Sequence, residues 1–197
     1  MIPETVFNLE GWCTKEKAYR LYNLVKESNS KLSVELGVFG GKSLIPIALA
    51  HKEINNGICI GIDPWTAQSS TESYDINDAN YQWWSKVNYN YIFDSFINSL
   101  IKYSVHNIVT YYRKKSNEVS YLFENESIDI LHQDGNHSET ISTEEIELYH
   151  DKIKSNGYWI MDDTDWPTTA KAQELILTKG FTLFEDHIKW KIYKKTN

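Results

Sequence analysis

The chain has 197 residues, 41% hydrophobic and 24% charged, with 9 glycines, 4 prolines and a formal net charge of −7. A length and composition of this kind suit one globular domain around a single core, and exclude a second complete domain, a disordered chain and a fibrous one. The acidic balance, with basic clusters only at 113–115 and 189–195, opposes a phosphate-tracking surface and so excludes nucleic acid as the expected partner.

In chain order, Ala18, Leu21, Leu24 and Val25 recur at helical spacing behind a capping Thr14, which predicts a leading helix over 14–28. A short strand over 32–36 runs into Gly37, and a helix restarts over 41–52. Residues 58–62 form a second strand ending at Asp63-Pro64, and 105–112 a third. A fourth strand over 128–133 ends at Asp134, and a fifth over 158–161 ends at Asp162-Asp163. Helices are expected over 138–154 and 168–178, and the strands 181–185 and 189–193 close the chain as an antiparallel hairpin. Alternating strands and helices predict a single α/β domain, Rossmann-like, with a mostly parallel seven-stranded sheet. Only about 65–90, with Tyr74, Tyr81, Trp83, Trp84 and Tyr89, breaks the alternation; so aromatic an insertion reads as a lid. The Trp83 and Trp84 rings suit either the lid's own core or sugar stacking.

The longest apolar run, 44–50, is too short to cross a bilayer and contains Pro46, and residues 1–10 lack the pattern of a secretory leader. The expectation is a cytoplasmic protein with no membrane partner. Cys13 and Cys59 have no metal-binding spacing and read as free thiols. Oligomeric state stays open, a homo-oligomer being compatible with the sequence.

Ligands of open parallel sheets bind at the carboxyl ends of the strands. Here the first strand ends in Gly37-Val38-Phe39-Gly40-Gly41, where glycines permit a sharp turn close to a ligand. Asp63 follows Gly37 by 26 positions, where a carboxylate suits the two hydroxyls of a ribose. The turn lacks the spacing that cradles a pyrophosphate, so the nucleoside expected is one without phosphates. Asp134, Asp162 and Asp163 fall at the ends of two strands expected to be neighbours, and clustered carboxylates of this kind suit a hard divalent cation. His137, on the loop after Gly135-Asn136, reads as catalytic, whereas His132 alternates with core positions and reads as a hydrogen-bonded interior residue.

Together, the segments 34–43, 61–65 and 134–138, and Asp162-Asp163 with Trp166-Pro167, resemble a family of small class I S-adenosylmethionine (SAM)-dependent methyltransferases. That family includes the macrocin and mycinamicin type sugar O-methyltransferases and the cephalosporin hydroxylase-like proteins. The resemblance implies SAM held by Glu35, Gly37, Gly40, Ser43, Asp63, Trp65 and Asp134, with Ser116 beside the adenine. It also implies a divalent metal, Mg²⁺, on Asp134, Asp162 and Asp163, with His137 as general base. The implied reaction is methylation of a hydroxyl on a small molecule, a sugar or glycosylated metabolite. Two alternatives stay open: a metal-independent methyltransferase of the same fold, and a non-catalytic nucleoside-binding protein.

Overall fold

The structure, a computed structural model, describes residues 1–196. Its sheet has seven strands: β1 (Leu32–Leu36), β2 (Ile58–Ile62), β3 (Val109–Tyr112), β4 (Ile128–Gln133), β5 (Ile153–Asp162), β6 (Phe181–Asp186) and β7 (Trp190–Lys195). Their spatial order is β3-β2-β1-β4-β5-β7-β6, with β1 to β5 parallel and β7 antiparallel to both of its neighbours. The predicted Rossmann-like sheet with its closing hairpin is therefore present. The switch in strand order falls between β1 and β4, which brings the loops that follow them together at the carboxyl end of the sheet.

Helices cover both faces: α1 (Lys15–Ser28), α2 (Leu44–Ile54) and α5 (Tyr89–Lys102) on one, α7 (Glu139–Tyr149) and α8 (Ala170–Thr178) on the other. Period-two alternation divides each strand between two cores. Val34 and Leu36 of β1 join Leu131, Trp159 and Met161 on the α7 side, while Ile130 and Ile160 pack on the α1 side. By the same alternation Glu35, His132 and Asp162 face α1, a placement that decides the chemistry below.

Boundaries differ from expectation for local reasons. The second helix starts at Leu44 rather than 41 because Gly41 has φ +82, outside the right-handed helical region. α7 stops at Tyr149, and the 153–157 stretch expected to end a helix or turn belongs to β5, which crosses a bulge at Asn156 (φ +65). The third strand is shorter than expected, starting at Val109. Helix α5 went unpredicted although Tyr89, Ile92, Phe96 and Leu100 mark its buried face. The 65–90 insertion contributes two short helices, α3 (Ala67–Ser70) and α4 (Ala79–Trp84). Among the described residues, no helix is long and apolar enough to cross a membrane.

Candidate active site

Three loops meet at the switch point. Gly37 N–H donates to Ile62 O (2.9 Å) and Asp134 N–H to Leu36 O (2.8 Å), so the ends of β1, β2 and β4 are laced together. The approach is close enough that a Cβ on Gly37, already at φ +85, would lie 2.2 Å from Asp134 O. Gly40 meets the N-terminal segment in the same way: a Cβ there would lie 2.4 Å from Glu10 O.

Asp63 fastens this turn from the next strand. Its Oδ2 accepts from the backbone N–H of Val38 (3.0 Å) and Phe39 (2.9 Å), and its Oδ1 from that of Trp65 (2.6 Å). Burial pushes its pKa up, against the pull of those three bonds. An ionised carboxylate offers about four acceptor positions, so Oδ1 keeps a lone pair for a ligand hydroxyl. Trp65 is 1% exposed; its ring stacks on Phe96, and its Nε1–H donates to Phe39 O (2.9 Å). It supports the turn from beneath. Ser116, at the start of α6 (Ser116–Val119), accepts at its carbonyl from Tyr149 Oη (2.7 Å) and bonds through its side chain to Glu145.

Glu35 is wholly buried below the turn. Its Oε1 accepts from Ser43 Oγ and pairs with His132 Nδ1 (2.7 Å), which makes His132 the hydrogen-bonded interior residue expected of it. Glu35 Oε2 and His132 Nε2 are buried without a protein partner, an unmet polar demand directly under the glycine turn. That demand, with the open lone pair on Asp63, fits a polar nucleoside-bearing ligand such as SAM at this end of the sheet.

The acidic strand ends contain a residue that sequence reasoning missed. Lys17 of α1, only 2% exposed, places its Nζ against Asp162 Oδ2 and 3.4 Å from Asp134 Oδ2. Burial opposes its charge, but the two carboxylates hold its pKa above the usual lysine range. Asp134 and Asp162 are also hydrogen-bonded to each other. Burial raises Asp134, while the Lys17 ammonium overcomes burial at Asp162 and holds it below the usual carboxylate range. Asp163, at φ +48 past the end of β5, turns instead to His137, whose Nε2 lies 3.1 Å from its Oδ2.

The three aspartates therefore do not converge on one point, and an ammonium occupies the space between two of them. As arranged they do not enclose a single ion, which differs from the Mg²⁺ site expected of them. Among the described residues, Glu35, His132 and Asp134 have donor atoms within 4.8 Å of one another; Glu35 Oε1 and His132 Nδ1 are taken up with each other and Lys17 neighbours Asp134, while Glu35 Oε2 and His132 Nε2 stay unpartnered. The sequence signal for Lys17 was its spacing: 17, 21 and 24 share the buried stripe of α1, where a lysine needs a partner.

His137 is enclosed, with its ring edge-on to Trp166 at 5.5 Å between centroids. Burial lowers its pKa to about 4, so it is neutral at physiological pH, and burial raises that of Asp163 to about 7. The 65–90 insertion reaches this point too. Asn136 Nδ2 donates to Glu72 O (2.9 Å) and Ser69 O (3.3 Å), and Lys115 pairs with Glu72 (2.6 Å). Above the turn, Trp12, Phe39, Trp83 and Trp84 form one aromatic cluster in which Trp12 is 64% and Trp83 47% exposed.

Residues 34–164, the span holding the turn, Asp63, Asp134, His137 and Asp163, match the family model described as methyltransferase domain. The chain belongs to that family. Comparison with curated protein sequences finds no match. Among solved structures, this methyltransferase is similar to the O-methyltransferase TomG from Streptomyces achromogenes, involved in tomaymycin synthesis and in complex with SAM. Identity is 13%, with 93% of this chain and 81% of that chain covered at TM-score 0.65. The O-methyltransferase from Bacillus cereus in complex with SAH is 10% identical over 100% of this chain and 93% of that one, at TM-score 0.67. A precorrin-6y C5,15-methyltransferase from Geobacter metallireducens GS-15 aligns as well, 14% identical, covering 100% and 97% at TM-score 0.65. Likeness at these identities is a likeness of fold: it extends across methyltransferases whose names differ in the atom they modify.

Proposed function

We propose that this methyltransferase transfers the methyl group of SAM to a hydroxyl oxygen of a small molecule, a sugar or glycosylated metabolite. One observation carries the reading: a neutral, enclosed imidazole, His137, held against Asp163 at the strand ends that adjoin the glycine turn. A hydroxyl is a weak nucleophile until its proton has somewhere to go. His137, a neutral imidazole with Nε2 3.1 Å from Asp163 Oδ2, would accept that proton.

SAM supplies a methyl carbon on a positive sulfur, so the C–O bond forms as the C–S bond breaks and the bonding pair stays on sulfur. The turn at Gly37, with Glu35 beneath and Asp63 beside it, would hold the donor. In its ionised form Asp163 would stabilise the imidazolium as it forms, which offsets the low basicity that burial imposes on His137. The lid, tied down by Asn136, keeps water from the reacting atoms. Exposed faces of Trp12 and Trp83 above Phe39 support a ring-shaped acceptor, since sugars and aromatic rings both stack on indole.

The test is methyl transfer from labelled SAM to a panel of glycosides and small hydroxylated acceptors. His137→Ala should lower turnover by roughly 10²–10⁴-fold while SAM affinity stays near the parent's. Equal turnover in the variant, or SAM binding with no methylated product across the panel, overturns the reading.

A further inference from the structure

We propose that Lys17 is a built-in cation that stands in for a divalent metal ion at the strand ends, so that the site assembles and works without one. Four observations carry this. Alternation in β5 turns Asp162 toward α1, and the bonds of Asp134 place it beside the same helix. Lys17 lies on the buried stripe of that helix, and its own backbone N–H donates to the Thr14 cap (3.2 Å), which fixes where the side chain starts. The side chain is 3% exposed, so the ammonium cannot leave for solvent without unpacking α1. Finally, Nζ touches both carboxylates, which are the oxygens that a metal would need.

A divalent ion bound by Asp134 and Asp162 would have to enter the space that Nζ fills, next to a positive charge it could not displace. One ammonium and the hydrogen bond between the two acids together relieve the repulsion that clustered carboxylates create. Lys17 is thus a positioning residue. It fixes Asp134, whose carbonyl abuts Gly37, and Asp162, whose neighbour Asp163 orients His137. Its part in turnover rests on the methyl-transfer reading, whereas its exclusion of metal does not.

The experiment titrates the full chain with Mn²⁺, followed by water-proton relaxation, and repeats methyl transfer in excess chelator. Parent protein should bind no Mn²⁺ at the strand ends up to about 1 mM, a range in which weak oxygen-ligand sites fill. Lys17→Met should gain a Mn²⁺ site that disappears in Lys17→Met/Asp162→Asn, and Mn²⁺ should raise the melting temperature of the single variant alone. Lys17→Gln, which keeps a polar tip between the acids, serves if the methionine variant does not fold, and should gain the same site. Parental Mn²⁺ binding that is lost in Asp162→Asn, or folded Lys17 variants that gain no site, overturns the proposal. Parental transfer should hold within about twofold in chelator. A chelator-sensitive rate overturns the catalytic part, and a chain that turns over no acceptor at all refutes the methyl-transfer reading while leaving the Mn²⁺ result to stand by itself.

Discussion

Asp63→Ala separates two roles that one carboxylate could play, holding the glycine turn and holding the donor. In the parent it accepts three backbone N–H bonds, from Val38, Phe39 and Trp65. Bonds to a charged acceptor contribute about 1.5–3 kcal/mol each, an upper sum near 5–9 kcal/mol. The net loss is smaller, because water reaches this half-buried site and because the variant no longer desolvates a carboxylate. We expect about 2–4 kcal/mol of lost unfolding free energy. Asp63→Asn keeps one oxygen for Val38 and Phe39 and turns an N–H₂ toward Trp65, so it should lose about 1–2 kcal/mol. Urea unfolding measures both, and calorimetry of SAM binding should show affinity falling at least tenfold in the alanine variant. If Asp63 serves only the ligand, affinity falls with stability untouched; an alanine variant within about 0.5 kcal/mol of the parent refutes the turn-holding argument.

Gly37→Ala should destabilise by about 2–4 kcal/mol and abolish SAM binding, since its Cβ would lie 2.2 Å from Asp134 O at φ +85. Gly135→Ala, whose nearest neighbour would be 3.6 Å away, is the control and should melt close to the parent. Burial raises both Glu145 and Asp163 to about 7, above the unfolded values near 4. Their favourable contribution is therefore full below about pH 4 and lost as pH rises through about 7, so the urea midpoint should fall across that window. Glu145→Gln should flatten the fall, and an unchanged slope would refute the assignment.

Much of the fold could be read from the residues because strand and helix differ in period. The runs 32–36, 58–62 and 128–133 are apolar, short and closed by glycine or aspartate, and the sheet follows from them. Helix α5 escaped because its first turn, Tyr89-Asn90-Tyr91, continues the polar aromatic character of the preceding insertion, so no composition change marks its start. The family resemblance implied Trp65 as a ligand contact. Its backbone has a positive φ of 47 and its ring is buried on Phe96, a placement that no local pattern announces. Lys17 went unread for a different reason: its spacing with Leu21 and Leu24 was visible, but a lysine ordinarily reads as solvated, and the partners that justify its burial are 117 and 145 positions away.

Everything that completes the strand ends from the amino-terminal side lies before residue 34, where the family match begins. Glu10 closes over Gly40, Gly11 O accepts from Lys42 Nζ (3.0 Å), Trp12 covers Phe39, and Lys17 enters the acids. The family signature and the ammonium that balances the charge of its acids thus lie on separate pieces of chain. Two relatives with the same signature could then differ in ion requirement through one codon in a helix that the signature does not include. Sorting such relatives by cation dependence calls for comparing the helix ahead of the first strand, at the position three residues past its capping threonine.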